Sequence, residues 1–143
     1  MFAGNVRNAV ADYSEVQGSI RGEKLEIVFE TFEKINKIAK KYNGFLERGS
    51  LYPPVSNNSE LVKLFESVVV SNNYKFIDCG MKYTGEDFGF FSMKFPSLMF
   101  WAGVRTSDKM YGLHNPKFLP DDEVIPFLIE FMIKWLRALS QEV

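Results

Sequence analysis

Thr84 to Phe118, TGEDFGFFSMKFPSLMFWAGVRTSDKMYGLHNPKF, sets the reading of the chain: its signals follow one another towards the single histidine, His114. Thr84-Gly85-Glu86-Asp87 has the spacing of a capping box, with Asp87 where Glu or Gln is usual, and predicts a helix to about Lys94 that Pro96 ends. Ser97 to Val104 (SLMFWAGV) carries no polar side chain from Leu98 onward, which predicts a strand buried on both faces, as in parallel sheets covered by helices. A turn-rich loop follows. His114, in Gly112-Leu113-His114-Asn115-Pro116, then falls about one loop beyond the strand's carboxyl end, where open α/β sheets place their ligands.

Working outward, Pro120-Asp121-Asp122-Glu123 opens a last helix with acidic residues at its positive end. Val124, Leu128, Phe131, Trp135 and Leu139 form its apolar face, and Pro126 is compatible with a helix only in the first turn. Upstream, Tyr74 to Cys79 (YKFIDC) predicts a short strand, with Cys79 buried and inert. Asn58 or Ser59 caps a helix from Glu60 to about Val70. Tyr52-Pro53-Pro54 cannot continue a ladder, so a domain boundary is placed there. Before it, Glu23 to Tyr42 sets Leu25, Val28, Phe29, Phe32, Ile35, Ile38 and Ala39 at helical spacing, and Asn43-Gly44 supplies the stop. Phe45 to Leu51 predicts a short strand. Asn8 to Arg21 alternates around Val10, Val16 and Ile20, which predicts an antiparallel strand with one wet face and a bend at Gly18.

The chain has 143 residues, enough for a domain with a sizeable core. Its formal net charge of -1 gives no electrostatic case for nucleic acid, which calls for a basic patch. One cysteine excludes an internal disulfide and suits a reducing compartment. The sequence lacks an apolar run long enough to span a membrane and a signal-peptide shape, which leads to a cytoplasmic, soluble expectation. Its 14 phenylalanines call for a large core or a partner surface.

Gly85-Glu86-Asp87-Phe88, Phe100-Trp101-Ala102-Gly103-Val104 and Tyr111-Gly112-Leu113-His114, with Lys117 after them, resemble the C-terminal signature of the metal-dependent amidohydrolases that include carboxypeptidase G and hippurate hydrolase. The N-acetyldiaminopimelate deacetylase branch is the most similar. The match runs from about Asn8 to about Leu139. It implies an α/β fold class with α+β character: residues 52–143 are part of an α/β zinc-peptidase-like catalytic domain, preceded in residues 1–51 by the C-terminal half of a ferredoxin-like, dimerisation-type lid.

By that resemblance, His114 is a ligand of a divalent metal ion, zinc or manganese, while Asn8 and Arg21 reach the substrate's carboxylate. A planar guanidinium can grip a carboxylate with two bonds. In the family the other metal ligands and the general base lie upstream, so no catalytic residue is assigned in this chain, and tight metal binding by it alone is not expected. Without the resemblance, His114 also reads as a structural or exposed histidine, and Arg21 as an exposed strand end. Glu86 and Asp87 read as helix-capping residues, or as groups that orient a metal-bound histidine.

The activity implied is hydrolysis of an N-acyl amino acid such as N-acetyldiaminopimelate, giving acetate and diaminopimelate for lysine biosynthesis. The alternatives are a catalytically inactive truncated product or stand-alone interaction module, and a hippurate-type hydrolase. Self-association or a missing upstream half is the expected partner, since the segments that would cover Ser97–Val104 are not in the sequence.

Overall fold

The structure, a computed structural model, describes residues 1–104 and 111–141. The turn-rich loop expected between Val104 and Tyr111 lies outside the described residues. Two compact units result, one from Met1–Pro54 with Lys82–Asp87, the other from Val55–Met81 with the described residues from Phe88 onward.

In the first unit β1 (Phe2–Ala3) pairs antiparallel with β2 (Ser14–Glu15), Phe2 opposite Glu15 and Ala3 opposite Ser14. Gly4 extends the pairing by donating its amide to the Tyr13 carbonyl at 2.9 Å. Its φ is 58°, and a Cβ there would lie 3.0 Å from Ala11 Cβ, so glycine meets both a backbone and a space requirement.

Helix α1 (Leu25–Lys41) follows the apolar spacing, with Leu25, Val28, Phe32 and Ala39 half-buried. It ends in a Schellman motif. Asn43 takes the left-handed conformation at φ 57°, its amide bonds to Lys40 O at 3.2 Å, and the Gly44 amide bonds to Ala39 O at 2.8 Å.

The second unit holds α2 (Ser59–Ser71), the single-turn α3 (Gly89–Ser92) and α4 (Val124–Leu139). Asn58 caps α2, its side-chain oxygen accepting from the amides of Glu60 (3.0 Å) and Leu61 (3.1 Å). The core forms where Phe65, Val68 and Val69 of α2 meet Phe131 and Trp135 of α4, with Leu98 and Phe100 against them. Both sets have the three- and four-residue spacing that keeps side chains on one helix face. Phe65 is the hub: its ring centroid lies 4.8 Å from that of Phe100, 5.3 Å from Phe131 and 5.6 Å from Trp135.

A second Schellman motif ends α2, with Asn73 at φ 57° and the Tyr74 amide on Val69 O at 2.9 Å. That turn delivers the Tyr74 ring to α4, 5.2 Å from Phe127 and 5.7 Å from Phe131. Pro126 is the third residue of α4, where the missing amide proton removes no helical bond.

The helices α1, α2 and α4 agree with the expected periodicities, the helix expected from Thr84 to about Lys94 shrinks to the single turn α3, and the strands do not agree. Of Asn8 to Arg21 only Ser14–Glu15 forms strand, and Phe45–Leu51, Tyr74–Cys79 and Ser97–Val104 form none. Sheet is therefore a minor component of this fold among the described residues, against the sheet-rich α/β expectation. The physical reason is that a helix closes its hydrogen bonds internally, whereas a strand needs a neighbour to supply them.

Ser97–Val104 finds substitutes. The Asn57 side-chain carboxamide bonds both ways to the Met99 backbone, its Nδ2 donating to the carbonyl at 2.9 Å and its Oδ1 accepting from the amide at 2.8 Å, and the Asn58 backbone amide donates to Ser97 O at 2.8 Å. The segment is half-buried rather than covered on both faces, and Trp101 keeps 46% of its surface exposed. Cys79 is exposed, contrary to expectation, because the strand that would have buried it is absent. Among the described residues no helix is long and apolar enough to cross a membrane.

Candidate functional site

His114 is placed by two consecutive turns. The Asn115 amide bonds to Gly112 O at 3.1 Å, which makes Leu113 and His114 the central pair of a β-turn. His114 adopts φ 68°, the left-handed region that histidine enters more readily than most side chains but still at a cost. Asn115 then starts a second turn: the Phe118 amide bonds to its carbonyl at 2.8 Å, and its side-chain oxygen accepts from the Lys117 amide at 2.9 Å. Pro116 fits the second position of that turn, where its fixed φ belongs. Gly112-Leu113-His114-Asn115-Pro116 thus encodes a turn that presents one exposed imidazole.

A catalytic divalent metal calls for about three protein ligands and an open position. Among the described residues no three His, Cys, Asp or Glu side chains converge. These residues therefore do not make up a complete metal site.

The other expected site residues belong to the first unit. Asn8 lies in the turn that joins β1 to β2 and is exposed. Arg21 is exposed and donates from Nη1 to the Tyr83 carbonyl at 2.8 Å. Glu86 is half-buried and Asp87 exposed. The expected capping box at Thr84 is not formed: α3 begins only at Gly89, behind Phe88 and without a side-chain cap. With no helix starting at Thr84, the helix-capping reading of Glu86 and Asp87 loses its basis.

The sequence reading missed a polar cluster in the second unit. Lys134 donates to Glu130 at 2.6 Å and to the Tyr74 hydroxyl at 2.8 Å, with its ammonium 5.0 Å above the Tyr74 ring. The hydrogen bond and charge of Lys134 hold the Glu130 carboxyl below the usual carboxylate range. The bond to Glu130, then that to Tyr74, pushes the ammonium above the ordinary lysine value. The four-residue spacing of Glu130 and Lys134 carried this signal; Tyr74 carried none. The bonds from Lys134 to Glu130 and to the Tyr74 hydroxyl fasten Tyr74 to α4.

A protein-family model described as peptidase family M20/M25/M40 matches residues 19–138. A curated relative from Geobacillus sp. named N-acetyldiaminopimelate deacetylase is 33% identical over 142 residues, covering 93% of this chain and 36% of the relative. A protein of the same name from Lactobacillus helveticus is 37% identical over 132 residues, covering 86% of the chain and 34% of the relative. Another from Streptococcus thermophilus is 33% identical over 149 residues, covering 98% and 38%. The chain therefore spans little more than a third of the length of the curated relatives it matches. No solved structure matches it.

Proposed function

The chain belongs to peptidase family M20/M25/M40, and on that premise we propose that it is the C-terminal portion of a metal-dependent amidohydrolase that removes the acetyl group from N-acetyldiaminopimelate or a related N-acyl amino acid. The observation that carries this reading is the relatives' shared name over 93% of the chain in the Geobacillus case. The turn that presents His114 supports it from the structure's side.

In this reading water adds to the acetyl carbon, the C–N bond breaks, acetate leaves and the amine takes the proton. His114 would give its imidazole to a divalent metal, zinc or manganese, which would supply Lewis acidity when bound. Arg21 and Asn8 hold the carboxylate of the amino acid, the arginine through the guanidinium donors that Tyr83 does not use. Glu86 and Asp87 stand as supporting polar groups, and the general base and the remaining ligands come from the upstream portion. We further propose a cytoplasmic setting in lysine biosynthesis, and covering of the exposed faces by the upstream portion or a second copy. Ile125 (62%), Ile129 (57%) and Leu136 (57%) of α4 are left to solvent, and apolar side chains exposed together on one helix suit a covering partner.

The test joins this chain to the N-terminal remainder of the Geobacillus relative and measures acetate release from N-acetyldiaminopimelate beside benzoate release from hippurate. Preferential acetate release supports the proposal. Preferential benzoate release would move the assignment to the hippurate-type activity.

A further inference from the structure

We propose that Arg21 is a latch that holds the strap Lys82–Asp87 on the first unit. The strap is an excursion: Val55–Met81 before it and the residues from Phe88 after it belong to the second unit, while the strap itself belongs to the first. It contains no helix or strand, and among the described residues none of its amides or carbonyls bonds to another backbone group. Something other than secondary structure must keep it in place.

Arg21 does so across 62 positions of sequence, its Nη1 donating to Tyr83 O at 2.8 Å. Gly85 continues the contact. A Cβ on it would lie 3.5 Å from Arg21 Nη1 and 3.8 Å from Tyr52 Cδ2, so the bare backbone runs against both side chains. Gly80, at φ 60°, stands just before the strap and Gly85 within it. Such positions absorb the backbone rotation of a hinge.

The latch is a single charge-assisted bond at an exposed side chain, so it opens locally at small cost and leaves the helices intact. The latch does not depend on whether Arg21 also meets a substrate carboxylate.

The experiment is limited digestion of the full chain with an endoproteinase that cuts after lysine, comparing the bond after Lys82 with that after Lys75, an exposed lysine outside the strap. When opening is fast relative to cutting, the cleavage rate follows the population of the open form. Arg21→Ala should raise cleavage at Lys82 about fivefold relative to Lys75, the effect of losing one hydrogen bond of ordinary net worth, with unchanged far-ultraviolet circular dichroism. Arg21→Gln, which removes the charge and shortens the side chain, should raise it similarly. Unchanged relative cleavage at Lys82 in a folded Arg21→Ala chain would overturn the latch. Should Arg21→Ala lose helicity, Arg21→Gln decides alone, and unchanged cleavage there overturns the proposal.

Discussion

Replacing Phe65 by alanine should remove a large share of the second unit's stability. The described core holds five buried apolar side chains, and the Phe65 ring, at 8% exposure, meets three other aromatic rings, those of Phe100, Phe131 and Trp135. Truncating a buried phenylalanine costs about 3 to 5 kcal/mol through lost transfer energy and the cavity left behind. The aromatic geometries contribute about 0.5 to 1.5 kcal/mol each beyond area burial, partly counted in that range already. Since a domain's whole stability is about 5 to 15 kcal/mol, Phe65→Ala should remove a large share of it. Trp135 lies 5.6 Å from the Phe65 ring, so its fluorescence reports the loss directly. Urea unfolding followed by fluorescence and circular dichroism should show the midpoint falling with little change in slope. A loss under about 1 kcal/mol would refute the placement of Phe65 at the centre of the α2–α4 contact, because an exposed phenylalanine costs no more.

Further outcomes follow from the cap, the ion pair and the exposed faces. Asn58→Ala should lower stability by about 1 kcal/mol and Asn58→Asp by much less, since the aspartate still accepts from the Glu60 and Leu61 amides; equal losses in urea unfolding would contradict the cap. Glu130 is held below its usual range, so its share of stability is complete above the unfolded carboxylate pKa and disappears as pH falls through the lowered one. The stability difference between the wild-type chain and Lys134→Met should therefore shrink on acidification from about pH 7 to about pH 3. That of Lys134 is complete at neutral pH and is lost only as pH rises through its raised value. A difference that stays constant on acidification would mean the Glu130–Lys134 bond is not formed in solution. The isolated chain should sediment as a dimer or larger species, or bind a hydrophobic dye; a stable monomer that binds none would show that its helices close the core unaided.

Helices were legible in this sequence because their signals are local. Leu25–Lys41 announced itself by apolar spacing and the Asn43-Gly44 stop, and Asn58 marked the start of α2. Val124–Leu139 did so by its apolar face and the placement of Pro126. Strand pairing depends on distant segments, and so the continuous apolar run Ser97–Val104 misled: its backbone is met by Asn57 and Asn58 instead of a neighbouring strand. The turn around His114 was readable from Gly112, Asn115 and Pro116, though not the left-handed backbone of the histidine itself. Arg21 stood out as a strand-end arginine, yet nothing local pointed to a carbonyl at Tyr83, because contacts across the chain leave no periodic trace.

The central claim is that this chain brings a metal-ligating histidine to a deacetylase. The most direct measurement is acetate release from N-acetyldiaminopimelate by the joined protein, with His114 and with His114→Ala, alongside metal content and circular dichroism of both. The account predicts turnover with His114, and in the variant a folded protein that has lost bound metal and releases acetate no faster than the uncatalysed background. Turnover and metal content unchanged in the folded variant would contradict it.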